Sequence, residues 1–242
     1  MGTVDIVTKE YMRENAIFAD VFNYLIYGGK KVIDPAGLTE VDTATSAVGK
    51  KDALQKYRDV LKAAVIKQDE KMSYVLLGVE NQTDVHYAMP VRNAIYALQY
   101  GKQVSDIAAG HRRSQKDYSG KTGGEYLSGF LKEDHIKPVI TLVIHFGAEE
   151  WDGPLSLHEM MPIRDMEILS YVENYRIHLI DPAKLTEEEL NKFSTSMREV
   201  MGYIKYSNNK EKLLDFLRTD THKSIEMNAA RVIKTITKTP IK

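Results

Sequence analysis

The sequence predicts an α/β fold, a mixed central sheet flanked by helices, and three stretches predict it. Residues 57–82, YRDVLKAAVIKQDEKMSYVLLGVENQ, read as two strands joined by a polar turn. Residues 138–146, PVITLVIHF, form a continuous apolar run of the kind found in a strand covered on both faces. Before both, Phe18, Val21, Phe22 and Leu25 recur at helical spacing and give one apolar stripe.

In chain order, the first element is a helix over residues 8–27, ended by Gly28 and Gly29. Residues 30–56 are punctuated by Pro35, Gly37 and Gly49 and hold one short strand within 38–48. The hairpin follows, with strands over 57–66 and 73–82 and a turn at 67–71. Pro90 opens a helix running to about Ile107, with Val91, Ile95, Leu98 and Val104 on its buried side and Arg92 and Tyr96 sharing a face. Residues 105–135 carry His111, Arg112, Arg113, Lys116 and Lys121 among glycines and serines, so a mobile basic loop is expected at about 108–134. Such a loop either grips a phosphate backbone or solubilises the chain.

The apolar strand at 138–146 should neighbour the hairpin. His145 and His158 read as hydrogen-bonded structural residues, and Trp151 as a packing residue. A strand is expected within 175–180. Thr186 and Glu189 make a capping box for a helix whose stripe is Leu190, Phe193, Met197, Val200, Met201 and Ile204. Shorter helices at 210–217 and about 221–235 and a basic tail complete the chain. This divides it into a core over 1–182 and a C-terminal helical extension over 183–242, the extension being a surface for DNA or for a second copy in a homodimer.

The hairpin carries the chemistry. If it is symmetric about the peptide between Asp69 and Glu70, Asp59 faces Glu80, and Gln82 faces Tyr57 on the same side of the sheet. Two opposed carboxylates repel by roughly 0.2–1 kcal/mol, which a shared hard cation would offset. A slip of one residue would separate them and leave two solvated acids.

At 242 residues, 43% hydrophobic and 28% charged, the chain can bury a full core. It contains no cysteine, which excludes disulfides and thiolate zinc sites and leaves carboxylate, amide and histidine chemistry for a metal. No apolar stretch approaches the roughly 18 residues of a membrane span, so a soluble cytoplasmic protein is expected. With a net charge of −1, any nucleic-acid affinity must come from local patches.

Asp59 followed by Glu80-Asn81-Gln82 at the end of an apolar strand resembles the D…ExK signature of the PD-(D/E)XK nuclease superfamily, with Gln for the usual Lys. KYRDVL, LLGVENQTD, MPVRNAIYALQY and PVITLVIHFGAEEWDGP, in this order, resemble its recombination-promoting nuclease, or transposase-like (YhgA-like), branch over roughly residues 10–205. The resemblance implies a restriction-endonuclease-like αβββαβ core and a metal-dependent DNA endonuclease associated with recombination or mobile elements. Mg²⁺ or Mn²⁺ would be held by Asp59 and Glu80, with Asp20 as a further candidate from the first helix, where Asn15 stands in place of the family's usual acid. Gln82 would position the attacking water. Arg92-x-x-x-Tyr96 resembles the Q-x-x-x-Y helix of related nucleases, which approaches a phosphate; Arg112, Arg113 and Lys116 would add DNA contacts. The competing reading is a catalytically silent DNA-binding or interaction protein on the same fold. A transposase proper would need a triad of acids on a ribonuclease-H-like fold, which this order of elements does not suggest.

Overall fold

A computed structural model of the chain describes residues 2–41, 44–46, 55–57, 59–68, 71–114, 121–219 and 225–238. The first helix is two: α1 (Thr3–Arg13) and α2 (Asn15–Tyr27), separated at Glu14, whose backbone is extended. A buried lysine explains the break. Lys62 projects from the sheet beneath the two helices, 1% exposed, and its ammonium donates to the carbonyl of Arg13 and to Asn15 Oδ1, 4.9 Å from the centre of the Phe18 ring. A continuous helix would have used the Arg13 carbonyl for its own ladder, leaving the charge without an acceptor. Desolvation lowers the Lys62 pKa. Asn15 also donates to the carbonyl of Pro35, so it ties this junction together. Gly28, at φ +61°, closes α2.

The main sheet has five strands in the order β1 (Leu38–Glu40), β4 (Val60–Gln68), β5 (Lys71–Gln82), β6 (Val139–His145), β7 (His178–Ile180). β1, β4 and β5 are antiparallel neighbours, while β6 and β7 continue parallel to β5. Two further strands, β2 (Ala44–Ser46) and β3 (Gln55–Tyr57), pair with each other only. This corrects the expected hairpin: Tyr57 pairs with Ala44, not Gln82, and Gln82 pairs with His145. The hairpin register is otherwise as read, from Val60↔Val79 to Gln68↔Lys71, and its turn residues Asp69 and Glu70 lie outside the described residues.

Alternation assigns the two faces of the sheet. Val60, Ala64, Ile66, Val75, Leu77 and Val79 join the larger core with α1, α2, α8 (Met197–Tyr206) and α10 (Met227–Thr237). Glu80 and Gln82 therefore face the other side, where Met89, Tyr96, Val143, Trp151 and Ile177 form a smaller core. The helix expected over 90–107 breaks at Ala97 into α3 (Met89–Tyr96) and α4 (Leu98–Arg113). Its inward residues are Met89, Pro90 and Tyr96, whereas Val91 and Leu98 are exposed.

The region expected to be a mobile loop is largely built. α4 runs through Arg113, and α5 (Gly123–Ser128) starts on a Thr122/Glu125 capping box. His111 meets Asp134 at 2.9 Å. Lys116 lies outside the described residues.

The capping box at Thr186 opens only a short helix, α7 (Glu187–Leu190), before the chain breaks and restarts as α8. Asp20 sets that break, as described below. α9 (Lys210–Thr219) and α10 follow, and Ala229, Val232 and Ile233 of α10 are fully buried in the larger core with α1 and α8. The C-terminal helices are thus part of that core rather than a free appendage.

Gly202 of α8 packs against the Phe216 ring of α9; a Cβ there would meet Phe216 Cζ at 2.2 Å. The ring is held by Tyr206 and by Arg198 stacked 4.9 Å above it. Gly202→Val is therefore expected to cost about 1–3 kcal/mol by overpacking. That is a fall of about 2–12 °C in Tm for a chain of this size, read by differential scanning calorimetry.

Candidate active site

The ladder between β4 and β5 ends at Val60↔Val79; Asp59 sits in a bend one residue before β4, at the end of the sheet where Glu80 follows Val79. Asp59 Oδ2 accepts the backbone N–H of Asn81 at 2.8 Å, which fixes its carboxylate at the C-terminal end of β5. Glu80 is fully buried, and Arg92 Nη2 lies 2.8 Å from its Oε2. Arg92 Nε donates to Tyr96 Oη at 2.8 Å, and the Tyr96 hydroxyl is also hydrogen-bonded to Glu80. The Arg92-x-x-x-Tyr96 spacing puts both side chains on the helix face above the two acids.

The charges respond to this packing. Burial raises the Asp59 pKa above the ordinary carboxylate value; the Asn81 N–H, Lys9 and Arg92 pull it back, and Asp5 pushes it up. Burial, then the neighbouring Glu80 charge, drives the Tyr96 phenol far above its ordinary value, so it stays neutral. Arg92 feels both Glu80 and Asp59 and remains a guanidinium. It is a built-in cation serving both carboxylates.

Above Asp59 opens a cavity of about 310 Å³, lined among others by Asp5, Gln82, Asp84, His86 and Arg92. The side-chain amide of Asn81, both atoms, and His86 Nδ1 are buried at this lining without hydrogen-bond partners. Asp5 comes from the exposed start of α1. Its oxygen-rich lining suits a hard divalent cation, since Mg²⁺ keeps several waters and needs only one or two carboxylates. Asp59 and Asp5 are the carboxylates of that lining nearest the chemistry; Glu80 does not line the cavity and is held by Arg92. Among the described residues no three His, Asp or Glu side chains form a ready metal cage.

The structure brings Asp59, Glu80, Gln82 and Arg92 together and sets the other candidates apart. Asp20 belongs elsewhere: 3% exposed, it accepts from the backbone N–H and the hydroxyl of both Ser194 and Thr195, in the segment that leads into α8. Its lone pairs are committed there, and it does not line the cavity at Asp59. Tyr96 is fully buried, so it cannot touch DNA and acts only through Arg92 and Glu80. Arg112 and Arg113 are exposed on the last turn of α4. His145 and His158 bond backbone carbonyls of Glu149 and Val172, as structural histidines do.

Sequence reading missed Asp5 and His86. Asp5 precedes the apolar stripe by which the first helix was recognised, and His86 sits in a loop with no periodicity. The acidic i, i+4 partner of Lys9 was the only available signal for Asp5.

The family described as "Putative transposase, YhgA-like" matches residues 30–230, most of the chain. The chain belongs to this family. No curated protein and no solved structure matches it. Membership in this YhgA-like family is consistent with the PD-(D/E)XK branch and with an association with mobile elements. The mixed five-stranded sheet with flanking helices is the fold expected of that branch. Among the described residues, no helix is long and apolar enough to cross a membrane.

Proposed function

We propose that the Asp59 cavity hydrolyses a DNA phosphodiester with the help of Mg²⁺ or Mn²⁺. The observation that supports this reading is Asp59, held by the N–H of the residue after Glu80, at an open, oxygen-lined cavity that Arg92, the ion-pair partner of Glu80, also lines. Asp59, Asp5 and Glu80 would hold the cation, which when bound supplies charge neutralisation at the phosphate and a more acidic water.

The remaining work falls to the chain's own groups. Arg92, partly exposed toward the cavity, has two anions to choose from when a phosphate enters, and a planar guanidinium bridges phosphate oxygens well. Gln82 lines the cavity and can orient a water through its amide, but it has no basic nitrogen to take the proton. That proton leaves to bulk water or to a substrate phosphate oxygen. Arg112 and Arg113 offer phosphate contacts that weaken as salt rises.

A second reading has an observation of its own. Because Arg92 already neutralises Glu80, the site is stable without a metal, as a catalytically silent DNA-binding protein would require.

Incubation of the parent protein with supercoiled plasmid and Mg²⁺ or Mn²⁺ separates the two. Nicking or linearisation that Glu80→Gln abolishes is the expected result. DNA retarded in a gel but left intact with either metal would favour the silent reading.

A further inference from the structure

We propose that Tyr87 is a stacking platform for an unpaired base next to the phosphate held at the Asp59 cavity, so that the preferred DNA is single-stranded or frayed rather than intact duplex. The inference rests on reading that cavity as a DNA phosphodiester site.

Tyr87 follows His86, which lines the cavity, and its Cα lies the ~3.8 Å of one residue further along the chain. Its ring is 60% exposed, although Met89, two residues on, is fully buried. A large aromatic left in water, next in the chain to a run of cavity-lining residues from Asn81 to His86, is an unmet contact.

The ring is also fixed. Its hydroxyl lies 2.9 and 3.1 Å from the two carboxylate oxygens of Asp152 and donates to them. That bond raises the phenol pKa, so Tyr87 stays neutral at ordinary pH. The loop beneath it is clamped to the 151–153 turn: a Cβ at Gly153 would meet Val85 Cγ1 at 2.8 Å, and Trp151 Nε1 donates to the Gly153 carbonyl. Met89 N donates to the His86 carbonyl at the start of α3. A ring held at its far end and on a braced loop loses little conformational entropy when a base settles on it.

The occupant follows from continuity with the cavity. At about 310 Å³ the cavity lies at the small end of ligand sites, of a size for a phosphodiester and its sugar, so the attached base must lie outside it. Tyr87, one residue beyond the lining residue His86, and Val91, one residue before the lining residue Arg92, are the exposed apolar side chains next to it in the chain. In a duplex both faces of each internal base are already covered by neighbours; only an unpaired, flipped or terminal base can present a face to a side chain. The geometry therefore selects unpaired DNA.

The test measures binding of Asp59→Asn, in Mg²⁺, to a fluorescein-labelled oligonucleotide and to the duplex of the same sequence by fluorescence anisotropy. Tyr87→Ala in that background is expected to weaken single-strand binding by about 5–150-fold, the equivalent of about 1–3 kcal/mol for one stacked base. Duplex affinity should stay within twofold, so the single-strand preference is lost. Tyr87→Phe, which keeps the ring but not its bond to Asp152, should lose less than Tyr87→Ala. Equal weakening of both DNAs, or unchanged single-strand binding, would overturn the stacking role while leaving the phosphodiester reading intact. If neither DNA binds to the Asp59→Asn protein or to the parent, the phosphodiester reading falls and this inference with it.

Discussion

Asp59→Asn is expected to abolish metal-dependent plasmid cleavage while making the protein more stable. The loss should reach about 10²–10³-fold or more, because an amide cannot supply the charge that holds a divalent ion or stabilises the reacting phosphate. Stability should rise because the folded state buries a carboxylate whose charged form it disfavours. The amide oxygen can still accept the Asn81 N–H, so the local hydrogen bond survives. Removing such a functional charge commonly adds about 0.5–2 kcal/mol, or roughly 1–8 °C in Tm at this size. The pH dependence follows from the sign of the shift. With the folded pKa above the unfolded one, the penalty is full above the folded value, shrinks as pH falls through it, and vanishes below the unfolded value. The Tm difference between variant and parent should therefore be greatest at neutral pH and close as the solution is acidified. A variant that cleaves at the parent rate, or melts lower than the parent at neutral pH, would contradict this account of Asp59.

Asp20→Ala is expected to be the most damaging single change to the fold. The Asp20 carboxylate, 3% exposed, receives the backbone N–H groups of Ser194 and Thr195 at 3.0 Å and their hydroxyls at 3.0 and 2.6 Å. It joins α2 to the start of α8 across more than 170 residues of chain. Removing it takes the acceptor from four part-buried donors at once, each costing about 1–3 kcal/mol where water does not replace it, and unties α2 from the segment leading into α8, a helix of the larger core. A net loss of about 3–5 kcal/mol is expected, lowering Tm by about 6–20 °C. Asp20→Asn should recover part of it, since one amide oxygen accepts where two carboxylate oxygens did. Melting of Asp20→Ala within 2 °C of the parent would show that these bonds carry little of the stability.

The element order, the strand buried on both faces and the hairpin register were all legible from residue order, because each is a local pattern. Period-2 alternation on either side of a turn is enough to pair numbers that sum to a constant, and Val60↔Val79 obeys that sum. The helix breaks were not legible. Glu14, Ala97 and the 191–196 segment carry no proline or glycine. Two of those breaks are made by distant charged groups that need the backbone: Lys62 takes the Arg13 carbonyl, and Asp20 takes the N–H groups of Ser194 and Thr195. Asp20 was read as a metal candidate for the same reason, since an acid's type does not say which donors will reach it.

Residue order by itself determined the family, the α/β class and the hairpin step at which Val60 meets Val79, since these depend on chain-local spacing and on the motifs that carry it. Only the tertiary structure decided what surrounds that step. It paired Arg92 with Glu80, closed Tyr96 away from solvent and brought Asp5 from the start of α1 and His86 from a loop to one cavity. Burial and charge pairing depend on groups far apart in the chain, whose meeting is fixed when the two faces of the sheet are covered, and no window of sequence contains both partners.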